Sequence, residues 1–171
     1  MIWFTSDTHF WHNNIIGYCN RPYSRVSEMN QSLIMNWNNS VFENDDVYFL
    51  GDFAFCSKEW ANNIALRLNG RKHMIRGNHD RKTKLDAFLD MQESLILETD
   101  GFRIFLCHYP KERLELPDNI DFSLHGHTHG NMGRISGDLR MDVGVDCNDY
   151  APVSLPMILN SLKLGAYSDG V

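Results

Sequence analysis

The feature that most constrains this chain is a unit that recurs along it: a short apolar run, rich in β-branched and aromatic residues, that stops at a polar turn. Ile2-Trp3-Phe4-Thr5 runs into Ser6-Asp7-Thr8-His9, Val47-Tyr48-Phe49-Leu50 into Gly51-Asp52, and His73-Met74-Ile75 into Arg76-Gly77-Asn78-His79-Asp80. Further on, Ile104-Phe105-Leu106-Cys107 meets His108-Tyr109-Pro110, and Phe122-Ser123-Leu124 meets His125-Gly126-His127-Thr128-His129. Runs this short, closed by turn formers, read as buried strands rather than helices.

Between the runs the spacing changes. Met29, Leu33, Trp37 and Val41 recur at every fourth position behind Ser27, an expected N-cap. Trp60, Ile64 and Leu68 do the same behind Ser57, with Asn69-Gly70 as the expected stop. Strands alternating with helices imply parallel pairing through helical crossovers. The stretch around Thr99-Asp100-Gly101 differs, because Asp-Gly between Leu95–Glu98 and Phe102–Phe105 marks a hairpin. A strand near 141–145 and a short helix over about 155–164 complete the pattern. The expected fold is α/β: a mixed-sheet sandwich with helices on its outer faces. Every polar cluster directly follows a strand, so all are expected at one edge of the sheet, the carboxyl edge where open α/β sheets bind ligands.

The 171 residues suit one domain spanning 1–171. With 16 Lys and Arg against 22 Asp and Glu, the formal charge of -6 argues against strong binding to duplex nucleic acid, so an anionic substrate needs a local source of attraction. No apolar run approaches the roughly 20 residues of a membrane span, and the start of the chain lacks the pattern of a signal peptide. The four cysteines form no CxxC pair and are expected as reduced thiols in a cytoplasmic protein.

Histidine supplies the local chemistry. Of eight histidines, seven lie in or beside the turns, and only His73 stands apart. Asp7 and His9, two residues apart in extended backbone, project to one side and can reach one cation; alone they also suit a capped turn with a surface histidine. Asp52 alone is ordinary turn chemistry. Asn78, His79 and Asp80 bring a neutral amide oxygen, a titratable ring and a carboxylate to one tight turn. His125, His127 and His129 put three imidazoles into five residues, which is costly in a core if they are charged together and points to metal. His108 alone is as compatible with a buried structural role.

Read in order, Asp-x-His, Gly-Asp, Gly-Asn-His-Asp, His and Gly-His-x-His resemble the calcineurin-like metallophosphoesterase superfamily, over residues 7 to 129. The resemblance implies two divalent cations. Asp7, His9 and His129 hold the first, Asn78, His108 and His127 the second, and Asp52 bridges both. It also implies that His79 faces the substrate as general acid. Two cations bring four positive charges against only two anionic ligands, so the pocket attracts phosphate although the protein is acidic. Metals about 3.5–4 Å apart support in-line attack on phosphorus by a metal-bridging hydroxide. Imidazole, carboxylate and amide donors without thiolate suit manganese first, then iron, zinc or nickel.

Relatives of the protein-phosphatase kind carry Gly-Asp-x-x-Asp, whose second Asp orients the histidine. Here Gly51-Asp52-Phe53-Ala54-Phe55 lacks it. Asp80 then either orients His79 or caps the turn. Arg21 is a candidate phosphate clamp and His12 a candidate substrate contact, with Phe10, Trp11 and Asn13 beside it as possible pocket lining. The expected function is hydrolysis of a small phosphodiester, nucleotide-like or cyclic. The alternatives are a phosphomonoesterase or protein phosphatase, or a catalytically silent scaffold that binds proteins.

Overall fold

Side chains along each strand alternate between two cores, as the period of extended backbone requires. In the computed structural model, which describes residues 1–80, 84–132 and 139–162, four strands pair in parallel. They are β1 (Ile2–Thr5), β2 (Asp46–Phe49), β3 (Arg71–Ile75) and β4 (Phe88–Gln92). A two-residue strand, β9 (Val153–Ser154), closes the β1 edge antiparallel, giving the order β4-β3-β2-β1-β9. The second sheet runs β5 (Ser94–Thr99), β6 (Phe102–Cys107), β7 (Phe122–His125) and β8 (Arg140–Asp142) in that spatial order. β5 and β6 form the expected hairpin; Asp100 (φ 48°) and Gly101 (φ 80°) both take the left-handed conformation that a two-residue hairpin turn demands. β6, β7 and β8 are parallel.

Phe4, Leu50 and Ile75 from the first sheet meet Ile104, Leu106, Phe122 and Leu124 from the second, forming the core between them. α4 (Leu155–Leu162) adds Leu155, Ile158 and Leu162 to that core. The alternate residues Val47, Phe49 and Met74 face outward. They pack under α2 (Val26–Ser40) and α3 (Lys58–Ala65), whose Met29, Leu33, Trp37, Ile64 and Ala65 cover that side of the first sheet. The outer side of the second sheet carries Phe105, Cys107 and Ile120 beneath a loop with a 3₁₀ turn.

Several local expectations change. Ser27 lies inside the first turn of α2, and extended Arg25 precedes the helix without a side-chain cap. Ser57 does cap α3, accepting from the Trp60 N–H at 3.3 Å. That helix stops at Ala65, before Asn69-Gly70; Gly70 (φ 91°) instead turns the chain into β3 where a Cβ would lie 2.9 Å from Val41. Trp60 is largely exposed rather than part of the buried stripe. The polar turns leave two sheets rather than the edge of one. The expected end of α4 near 164 lies outside the described residues. None of the four cysteines is in a disulfide, and among the described residues no helix is long and apolar enough to cross a membrane.

Candidate metal centre

The turns after β1, β2, β3, β6 and β7 converge and are tied to one another through the backbone. The Asp7 N–H donates to Gly51 O at 2.9 Å, the His9 N–H to Asp52 O at 3.1 Å, and the Gly126 N–H to His108 O at 3.0 Å. Five of the seven expected ligands sit at positive φ: Asp7 (56°), His9 (47°), Asp52 (60°), His127 (69°) and His129 (48°). Non-glycine residues rarely adopt this conformation, and where they do the surroundings must enforce it. Packing here is too close for side chains elsewhere: a Cβ on Gly77 would fall 2.3 Å from Asp52 Oδ1, and one on Gly126 2.3 Å from Asp7 Oδ2.

Among the described residues the expected ligands gather in two of three candidate groups, the third being Cys19 and Asp146 with the same His129. Asp7, His9 and His129 form one; Asp52, His108 and His127 form the other. His9 Nε2 and His129 Nε2 each lie 3.9 Å from Asp7 Oδ1. Two donors of one ion can be no more than about 4.4 Å apart when each bond is about 2.0–2.2 Å. In the second group His108 Nε2 is 3.1 Å from the exposed Asn78 Oδ1. Asp52 Oδ2 lies 3.6 Å from His9 Nε2 and 3.5 Å from His108 Nε2, so one carboxylate oxygen touches both groups. Each group also draws on both sheets. Asp7, His9 and Asn78 follow strands of the first; His108, His127 and His129 follow strands of the second.

Burial makes these residues expensive without a cation. Asp7 is wholly buried, and desolvation pushes its carboxyl up to about 6 against the pull of His108, Ser6, His129 and the His127 N–H. Its Oδ2 accepts from Ser6 Oγ at 2.5 Å and from the His127 N–H at 2.9 Å. Its Oδ1, like both nitrogens of His9, is buried without a hydrogen-bond partner. Burial also drives His9 down to about 3, despite Asp52 beside it, which leaves the neutral ring that metal binding needs. For Asp52, burial raises the pKa, but the hydrogen bond and charge of His108 and the His79 N–H outweigh it and hold the carboxyl at about 2. An orphaned carboxylate oxygen and an unpartnered neutral imidazole, facing each other across the span of one ion, fit a divalent metal.

The family model for the calcineurin-like phosphoesterase superfamily domain matches residues 1–142. The chain belongs to that superfamily. Among curated sequences it is 39% identical to an uncharacterized protein of Methanocaldococcus jannaschii, covering 96% of this chain and 92% of that one. It is 27% identical to the Gene 66 protein of Mycobacterium phage D29, over 89% of this chain and 92% of the phage protein. Among solved structures, a protein of unknown function from Aquifex aeolicus superposes with a TM-score of 0.73 at 31% identity, over 94% of this chain and 98% of that one. An archaeal phosphodiesterase superposes with a TM-score of 0.52 at 19% identity, over 84% and 82%, and shares the fold. The superfamily is metal-dependent, and this member carries residue groups able to hold metal.

Around these groups lies a second set of contacts, and here two expectations give way. Arg21 does not face open space. Its side chain is fully buried, Nε and Nη2 both donate to Asp146 at 2.8 Å, and Nη2 and Nη1 donate to the Asp7 and Thr8 carbonyls at 2.7 and 2.9 Å. A guanidinium spent in this way braces the first ligand turn and has no fork left to clamp phosphate. Asp80 does not orient His79 either. Its Oδ2 accepts from the Asp52 and Gly77 N–H groups at 2.7 Å and its Oδ1 from the Phe53 N–H at 3.0 Å, binding the β2 and β3 turns together.

Asp146, which sequence reading passed over, accepts from His129 Nδ1 at 2.6 Å. That bond, together with Cys19 and the charge of Asp7, outweighs burial and raises His129 to about 10, while leaving Nε2 toward Asp7. The Leu50 carbonyl does the same service for His108, 2.7 Å from Nδ1. A ligand histidine held through its second nitrogen is a recurrent device for fixing ring and tautomer. His79 and His12 lie at the rim. The His79 ring is exposed and 5.4 Å from that of His9; His12 is 5.3 Å from His9 and stacks on Phe55 at 4.6 Å. Phe10 is core, and Trp11 rests edge-on against Trp60.

Proposed function

We propose that this chain is a binuclear metal-dependent phosphodiesterase acting on small, nucleotide-like or cyclic diesters. In this reading Asp7, His9 and His129 hold one divalent cation, Asn78, His108 and His127 hold the other, and Asp52 bridges them; manganese is the first choice. The observation that carries the reading is the position of Asp52 Oδ2, 3.6 Å from an imidazole nitrogen of one group and 3.5 Å from that of the other. When bound, such a pair supplies an activated water and neutralises the phosphate oxygens.

The chain's own residues do the rest. Ser6 and the His127 N–H fix Asp7 through one oxygen and leave the other free. The His79 N–H donates to Asp52 Oδ1 at 2.9 Å, so the bridging carboxylate also seats the backbone of the rim histidine. The His79 ring gives its proton to the leaving alkoxide, a contribution of about 10²–10⁴ in rate. His12 sits beside it as a substrate contact.

The test is reconstitution with excess Mn²⁺, metal analysis, and parallel turnover of a chromogenic diester and monoester. Two metals per chain with diester turnover ahead of monoester is the expected result. A single metal at saturation overturns the bridged pair. Two metals with monoester preference makes the enzyme a phosphomonoesterase, and two metals with no turnover of either ester makes it a scaffold.

A further inference from the structure

The aromatic residues beside the ligand turns divide into two kinds. Phe10 and Phe53, although next to His9 and Asp52, are buried in the core, in edge contact at 5.2 Å. Phe55 and Tyr109 are 55% and 43% exposed; Tyr109 rests against two candidate ligand histidines and Phe55 against the two rim histidines beside His9. Phe55 stacks on His12 at 4.6 Å and meets His79 edge-on at 5.8 Å, at the group that contains His9. Tyr109 meets His108 at 5.0 Å and His127 at 4.8 Å, in the other group. Among the described residues an exposed aromatic face thus lies on either side of Asp52, one through the rim histidines beside His9 and one directly on His108 and His127. Tyr18, 73% exposed and edge-on to His12 at 6.2 Å, extends the Phe55 side.

An exposed ring is common on protein surfaces and means little alone. Two rings, one fixed against the rim imidazoles beside His9 and the other against His108 and His127, mean more, because base–aromatic stacking is worth about 1–3 kcal/mol per base and does not depend on base identity. A phosphomonoester offers one organic group and can use one of these faces. A diester with a flat group on each ester oxygen can use both.

We propose that the substrate is a diester carrying a planar aromatic group on each side of phosphorus, of the dinucleotide class, with Phe55 and Tyr109 as the two specificity-determining faces. This rests on the phosphodiesterase reading above. Phe55 takes the leaving side, because it touches His79. The P–O bond to the group on Phe55 breaks, water supplies the new P–O bond, and the departing oxygen takes the proton from His79. Tyr109 holds the group that stays on phosphorus.

The experiment compares bis(4-nitrophenyl) phosphate with methyl 4-nitrophenyl phosphate on manganese-loaded wild type, Phe55→Ala, Tyr109→Ala and Tyr109→Phe. Wild type is expected to favour the bis-aryl ester through KM. Phe55→Ala raises KM for both esters by about tenfold, the lower part of the stacking range. Tyr109→Ala collapses the preference between the two esters through KM with little change in kcat, and Tyr109→Phe restores it. Calorimetric titration of diphenyl against dimethyl phosphate reads the same preference without turnover, and each alanine variant is expected to weaken only the diphenyl ester. Diester turnover with no aryl preference, or a preference that survives Tyr109→Ala, overturns this inference and leaves the phosphodiesterase reading intact. No diester turnover overturns that reading, and the titration still decides between aromatic and aliphatic esters.

Discussion

The two halves of the candidate metal centre are built to different standards. The half with Asp7, His9 and His129 is almost closed: Asp7 and His9 are buried, and His129 is pinned by Asp146, which is itself paired with buried Arg21. The half with His108 and His127 is open. His127 and Asn78 are exposed, and only His108 is anchored through a second nitrogen. In the proposed assignment their charges differ as well, since Asp7 belongs to the first half alone, whereas the second adds to the shared Asp52 only imidazole and amide donors. Enclosure and charge both favour tight, slowly exchanging binding in the first half. Openness suits the second to meeting substrate.

The strongest way to break this contrast is to remove what the halves share. Asp52→Asn is expected to cost about 10³ in diester turnover, in line with the several kcal/mol that metal-centred charge stabilisation provides, and to lower occupancy in both halves by metal analysis. Retained double occupancy with full turnover would show that no bridge exists. His79→Ala is the complementary case: metal content stays at the wild-type level while kcat falls by about 10²–10⁴. Loss of metal would move His79 from acid to ligand.

Asp146→Asn sharpens the comparison from the other side. Weakening the support of His129 is expected to reduce affinity in the closed half by about 10–100-fold, with the open half changed less, which calorimetric metal titration resolves into two steps. Stepwise chelation of the wild type should empty the open half first, so activity disappears while about one metal per chain remains; simultaneous loss would make the halves equivalent. The smallest effect belongs to Asp80→Asn. Disturbing a half-buried carboxylate that accepts three backbone N–H groups should cost about 1–3 kcal/mol in denaturant unfolding, with the metal stoichiometry kept.

Much of this architecture was legible from local chemistry. β1 matches its apolar run residue for residue, and the Asp100-Gly101 hairpin follows from two residues that tolerate positive φ. What escaped was set by distant partners or by brevity. β9 has two residues, α1 (Asn13–Tyr18) has six and no N-terminal cap, and β4 mixes Asp90 and Gln92 with apolar positions, so none carries a readable period. The order of the polar turns was visible, but their division between two sheets was not, because pairing between strands leaves no mark on a single run. Arg21 reads as an anion binder until its partner is known, and that partner lies 125 residues away. Asp146 has no motif around it; the one available clue was an acid shortly after the Met141–Val145 run, close to the end where the histidines gather.

Neither half takes its ligands from one sheet alone. Cations seated there would rivet the sandwich shut across its seam, much as a clasp holds the two covers of a book. Small slippage of one layer over the other would then be felt as lost coordination well before the fold itself gave way, making catalysis the most sensitive gauge of how faithfully the layers are aligned.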